Sequence, residues 1–97
     1  MVKHIVMFKL SDKTPANLEN VVQALRGMEG KIKVLRYIEV GINFSESDRS
    51  YDVVLTTHFD DIEGLTTYAT HENHVPVAKL MRSLCSHSVV VDYEMDS

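Results

Sequence analysis

The sequence has one cysteine, Cys85, in 97 residues. A lone thiol cannot close an intramolecular disulfide, which points to a reducing, cytoplasmic setting rather than a stapled secreted domain. No apolar run approaches the roughly 20 residues a helix needs to span a bilayer. The opening "MVKHIVMFKL" is apolar at its centre, but it is short, lacks a small-residue cleavage site and alternates like a strand, so it does not read as a targeting segment. No basic cluster is present: lysines and arginines are scattered and the formal net charge is −4, which argues against a nucleic-acid surface. Neither nucleic acid nor a membrane is expected as a partner. Glycine is scarce, and the one close pair, in "GMEGK", ends a helix rather than opening one, so no phosphate-cradling loop is available. There is no internal repeat, linker or low-complexity segment.

What is present reads as a single domain over 1–97. "VKHIVMFKL" places His4, Val6, Phe8 and Leu10 on one side and Lys3, Ile5, Met7 and Lys9 on the other. Both sides are apolar at the centre, so this strand needs cover on both faces. Helices of the same chain can cover one face. The other needs a layer that so short a chain can hardly supply and a partner subunit can.

In "DKTPANLENVVQALRGMEGK", Thr14 caps a helix, Pro15 takes its first position, and Leu18, Val21, Val22, Leu25 and Met28 make the apolar stripe. Gly30 is the expected stop, and Gly27 in the last turn weakens the helix by about 1 kcal/mol relative to alanine. "KVLRYIEVGINFS" is β-rich, with Gly41 at a bulge or bend, and "ESDRS" is a loop. "YDVVLTTHF" carries Tyr51, Val53, Leu55, Thr57 and Phe59 on one face and Asp52, Val54, Thr56 and His58 on the other. "DDIEGLTTYATH" opens a helix at Asp60 and Asp61, with Ile62, Leu65 and Tyr68 or Ala69 inward. A second short helix is expected from about Asn73 to Leu84, with Pro76 early in it, and "SHSVVVDYE" is the last strand.

The order β-α-β-β-α-β, with the second helical part broken in two, predicts an α+β, ferredoxin-like domain: a four-stranded antiparallel sheet with helices on one face. The bare face would carry Ile5, Met7, Val54, Val89 and Val91. Apolar surfaces of that size mark interfaces, and two such sheets packed face to face would make a homodimer.

Three separated motifs then carry a resemblance: "VKHIVMFKL", "YDVVLTTHFDD" and "YATHENHVPVAKL…VVVDYE". In their order and spacing the chain resembles the stress-responsive A/B barrel (Dabb) family of dimeric α+β barrels. Small antibiotic-biosynthesis monooxygenases, muconolactone isomerases and chlorite-dismutase-like proteins are similar in architecture. A plant polyketide cyclase of the family closes its substrate by an intramolecular aldol step. It uses a tyrosine and the second histidine of a Y-x-x-H-x-x-H segment, with a further pocket histidine in the first strand. By that resemblance Tyr68 and His74 are the catalytic candidates, His4 lines the pocket, and His71 is the intervening histidine that does no chemistry. The sequence departs from the cyclase at Val53, which replaces a pocket histidine, and at aliphatic Val21 and Val22, which replace aromatics; it also has Glu72 where members of the family more commonly carry proline.

Each candidate also has a plainer reading. His74 is a general base or a helix-start histidine bonded to backbone. Tyr68 donates to a substrate carbonyl or simply packs. His4 lines a pocket with Val6, Phe8, Val53 and Leu55, or is a satisfied core histidine. His71 and His74 stand at metal-capable spacing without a third ligand, so neither metal nor cofactor is expected. Cys85 and His87, two apart on a strand, share a side, but no acid or oxyanion turn accompanies them, and Cys85 reads as a packing residue.

Two functions follow. One is a cofactor-free lyase, cyclase or isomerase acting on a small apolar or polyketide-like molecule, with a cofactor-free monooxygenase beside it. The other is a non-catalytic, stress-related dimeric module that binds a ligand or a protein. A cavity of a few hundred Å³ reached from solvent separates them. Tyr68, His74 and His4 should converge on it, with His71 facing solvent.

Overall fold

A computed structural model describes residues 1–95. Its elements are β1 (Val2–Leu10), α1 (Pro15–Arg26), β2 (Tyr37–Ile42), β3 (Val53–Phe59), α2 (Ile62–Ala69), α3 (Val75–Leu84) and β4 (Cys85–Glu94). The strands form one antiparallel sheet in the order β2-β3-β1-β4. This is the ferredoxin-like arrangement expected from the alternating patterns.

Register divides the sheet into rows. The helix-facing rows are Ile42–Val53–Phe8–Ser88, Val40–Leu55–Val6–Val90 and Ile38–Thr57–His4–Asp92. The rows between them, Gly41–Val54–Met7–Val89 and Glu39–Thr56–Ile5–Val91, face away from the helices. The five residues expected on the bare face therefore share it. Met7, Val89 and Val91 are exposed there, as is Tyr93 one row further on. Among the described residues no helix is long and apolar enough to cross a membrane.

Helix α1 starts as its sequence dictates. Thr14 Oγ1 accepts the Asn17 N–H at 3.1 Å, Pro15 leads, and Val21, Val22 and Leu25 are buried. It stops sooner than expected, at Arg26, with Gly27 as its cap. Gly30 lies further on, in a turn with φ +77°, a conformation glycine adopts without steric cost. Met28 and Ile32 are buried from this turn, which explains an apolar pattern that outlasts the helix.

Strand β2 is shorter than its β-rich stretch, and Gly41 forms no bulge. It pairs regularly with Val54, and a Cβ there would come within 3.0 Å of the Val54 side chain. Glycine makes room for the valine across the ladder.

Helix α2 is capped by Asp61, which accepts the Gly64 N–H at 2.8 Å. Its buried residues are Gly64 and Tyr68, and Ile62, expected inside, is 62% exposed. Gly64 rotates the stripe: a Cβ there would lie 3.5 Å from the Phe59 Cβ, so the helix presents its glycine to the sheet at short range. Strand β3 starts at Val53, and Asp52 before it is buried. Its carboxylate accepts the Leu10 N–H at 2.8 Å and faces Lys13 at 3.5 Å, tying the end of β1 to the start of β3.

Candidate functional site

Helices cover β2, β3 and β1 more fully than the edge strand β4, along which every residue from Ser86 to Glu94 is exposed. Between β1, β4 and α3 lies a half-open cavity of about 470 Å³. That volume is within the range of small-molecule sites. His4, Val6, Phe8 and Leu55 line it from the sheet, and Tyr68 and His74 from the helices.

The chain breaks helix between Ala69 and Val75, and the break brings the two aromatic residues together. His71 stays in the turn. It is half-buried, lies outside the cavity lining, and its Nδ1 accepts the Asn73 N–H at 3.0 Å. The His71 carbonyl also accepts the N–H groups of His74 and Val75, which winds the start of α3. His74 holds the N-cap position of α3, but its side chain makes no capping bond. The ring turns back over Tyr68, 4.2 Å between centroids. Tyr68 in turn meets the His4 ring edge-on at 6.1 Å.

Hydrogen bonds assign the nitrogens. His74 Nδ1 is 3.0 Å from the Ala69 carbonyl. A carbonyl only accepts, so Nδ1 carries the hydrogen and Nε2 keeps its lone pair. Burial lowers the His74 pKa. The Ala69 bond opposes that shift, while His4, Arg82 and His71 add to it. The ring is therefore neutral at neutral pH, as a base requires. Tyr68 is 1% exposed, and burial pushes its phenol up to about 12. It stays protonated and acts only as a donor. In this structure its hydroxyl meets Met28 Sδ at 3.8 Å, and a thioether is a weak acceptor that a ligand carbonyl would outcompete.

His4 Nδ1 is hydrogen-bonded to the Asp92 carboxylate on β4. The carboxylate fixes the Nδ1–H tautomer and leaves Nε2 free, the role carboxylates play behind imidazoles in metal sites and catalytic triads. Sequence reading missed Asp92. Its one signal was an acid directly after "VVV", which on an edge strand ordinarily reads as solvated. Also missed were Met28 and Arg82, both at the cavity.

Val53, expected at the pocket, is not part of its lining. It is buried in the core behind Phe8, its register partner on β1. Leu55 reaches the cavity because its partner is the smaller Val6. Cys85 and His87 do not keep regular strand alternation, although both border the cavity. Leu10 pairs with Cys85 and Lys9 with His87, so Ser86 is an extra residue that reverses the alternation. His87 Nδ1 lies 2.9 Å from Ser86 Oγ, and burial, followed by the charge of Asp52, pushes the Cys85 thiol up. Among the described residues no group of three or more His, Cys, Asp or Glu is placed to hold a metal.

Known proteins resemble this chain over its whole length. The stress-responsive A/B barrel domain pattern matches residues 2–95. An uncharacterized protein of Streptomyces coelicolor is 33% identical over 97% of this chain and 99% of its own. A dimeric protein of unknown function with a ferredoxin-like fold, from Bacteroides fragilis, is 34% identical over 97% of this chain and 95% of its own, with a TM-score of 0.82. Hydroxynitrile lyase from Passiflora edulis shares the fold alone, at 13% identity and a TM-score of 0.85 over 98% of this chain and 93% of its own. The full-length pattern and the two relatives at a third identity establish that this chain belongs to the stress-responsive A/B barrel domain family.

Proposed function

We propose that this protein performs cofactor-free proton-transfer chemistry, of lyase, cyclase or isomerase type, on a small apolar carbonyl compound bound between sheet and helices. The observation that carries this reading is His74 with Nε2 unpaired and the ring neutral, packed against a protonated Tyr68 at a half-open cavity. His74 Nε2 removes a proton from the carbon beside the carbonyl. The electron pair moves to the carbonyl oxygen, and the Tyr68 hydroxyl stabilises the oxyanion. His74 then returns the proton, to the substrate carbon or to the group that leaves. His4, held by Asp92, meets the Tyr68 ring edge-on. Lyase chemistry exists on this fold in the Passiflora edulis enzyme.

The working unit in this reading is residues 1–97 as one domain, paired as a homodimer through Ile5, Met7, Val54, Val89 and Val91, in the reducing cytoplasm that a single free Cys85 suits. The dimeric state of the Bacteroides fragilis relative supports the pairing.

Thermal-shift screening of β-polyketide mimics and aromatic acids, followed by calorimetry, identifies ligands. Exchange of their α-protons into deuterated water, followed by NMR, then reads the chemistry. His74→Ala should slow exchange by about 10²–10⁴-fold, the range general bases contribute. His71→Ala should leave it unchanged. Equal behaviour of the two variants removes His74 from the role.

A second reading is binding without turnover. It is favoured by the Tyr68 hydroxyl, which already has Met28 as a partner. Ligands that bind the wild type tightly and exchange no protons would decide for it.

A further inference from the structure

The cavity lining has a sign. It includes one guanidinium, Arg82, beside the neutral His74 and the carboxylate-paired His4, and no aspartate or glutamate. The chain as a whole carries 14 acidic residues against 10 lysines and arginines, so a lining free of carboxylates runs against its composition. Asp92 approaches only the far nitrogen of His4 and is not part of the lining.

Arg82 stands in the last turn of α3 and, among the described residues, takes part in none of the ion pairs. It follows His74 by eight positions, so its Cα lies about 12 Å further along the helix. Val77, Ala78 and Met81 line the stretch between the two. Ser86 and Ser88 of β4 line the same cavity. The cavity is thus polar at both ends and apolar in the middle. A base and a phenol stand at one end and an unpaired cation at the other. The carbonyl end of α3 disfavours an anion by about half a charge, which the full charge of the guanidinium outweighs.

We infer that the ligand is an apolar monocarboxylic acid whose carboxylate is received by the Arg82 guanidinium, with its body along Val77, Ala78 and Met81 and its reactive carbon at His74. The inference rests on the small-molecule reading above and supplies the ligand class. A guanidinium offers paired donors that fit a carboxylate, and a basic mouth in a net acidic protein favours anions locally.

The test uses the full-length protein and phenylalkanoic acids with side chains of two to five carbons, each beside its neutral carboxamide. Titration calorimetry is run on the wild type, Arg82→Gln and Arg82→Lys. The best acid should bind the wild type on the order of tenfold more tightly than its amide, the scale of one charge-assisted contact. Arg82→Gln should abolish that preference and leave amide binding within twofold, and Arg82→Lys should keep part of it. The preference should also shrink with added salt, because Arg82 is exposed. Acid and amide binding alike would overturn the role of Arg82 and leave the pocket reading standing. An acid preference that survives in Arg82→Gln would overturn it equally. If neither series binds, both the pocket reading and the inference fall.

Discussion

Along β1, Val6 and Phe8 face the helices while Ile5 and Met7 face away, and the residue types on the two sides are nearly the same. Their surroundings are not. The helix side carries Leu55, Phe59 and Val53, each 2% exposed or less, whereas the opposite side leaves Met7, Val89 and Val91 open. Apolar content alone therefore does not say what a strand face is for. One face builds a core and, where β4 runs past the helices, a cavity. The other is an exposed apolar surface, the face through which the proposed dimer pairs.

The contrast can be broken at its strongest point first. Phe59→Ala on the helix side empties a fully buried site and should cost about 3–5 kcal/mol in denaturant-induced unfolding. Met7→Ala on the other side should cost far less at low protein concentration. Equal losses would mean that the two faces are equivalent cores.

Val54→Lys is the complementary change. Complete burial of a valine contributes roughly 1.5–3 kcal/mol, and lysine replaces it with an unpaired charge. Light scattering should then report monomers with native circular dichroism, through a loss of association of at least tenfold. A dimer of undiminished stability would refute pairing through this face.

Asp92→Asn sharpens the comparison at the edge strand, where the helix side borders the cavity. It should shift the nitrogen-15 resonances of the His4 ring as the Nδ1–H tautomer is released. Turnover or ligand affinity should fall about tenfold, the usual scale for a group behind a working imidazole, with melting temperature little changed. A His4 ring unaltered by Asp92→Asn would show the contact to be incidental.

The smallest effect is with pH. His74 on the helix side and His58 on the bare side both titrate below the ordinary histidine value, in each case chiefly through desolvation. His58 lies under Tyr37, 4.5 Å between rings, and its Nε2 is buried without a partner. For both, the unfolded chain binds the proton more readily, so stability rises with pH between the folded and unfolded values. The contribution is complete above the unfolded value, about pH 6.5, and is lost as pH falls through the lowered values. Unfolding midpoints taken between pH 7.5 and 5 should decline, and His74→Gln should flatten part of the decline. An unchanged slope in that variant would mean that His74 is not desolvated.

Much of the architecture was legible because its causes are local. Thr14 and Pro15 start a helix through a side-chain acceptor and a fixed φ, whatever the rest of the chain does. Period-two alternation in "VKHIVMFKL" and "YDVVLTTHF" sorts residues onto two faces wherever the strands pair. The places where reading failed depend on depth or register. Ile62 had the right spacing for an inner stripe, but Gly64 came closer to the sheet. Cys85 and His87 had strand spacing, but their partners Leu10 and Lys9 are adjacent, so Ser86 stands between them as an extra residue.

The sequence by itself determined that this chain makes four strands with two apolar faces, that the helix breaks before His74, and that a tyrosine and two histidines cluster near the break. Those outcomes follow from capping, periodicity and chain stiffness, which act over a few residues. Only the tertiary structure decided which groups meet. Asp92 reaches His4 from 88 positions away because β4 pairs with β1 in one register. Val53 hides behind Phe8 while Leu55 passes beside the smaller Val6. Arg82 lines the same cavity as His74 because α3 runs beside it from its N-cap residue to its last turn. Register and depth depend on every element at once, and no short stretch of sequence encodes them.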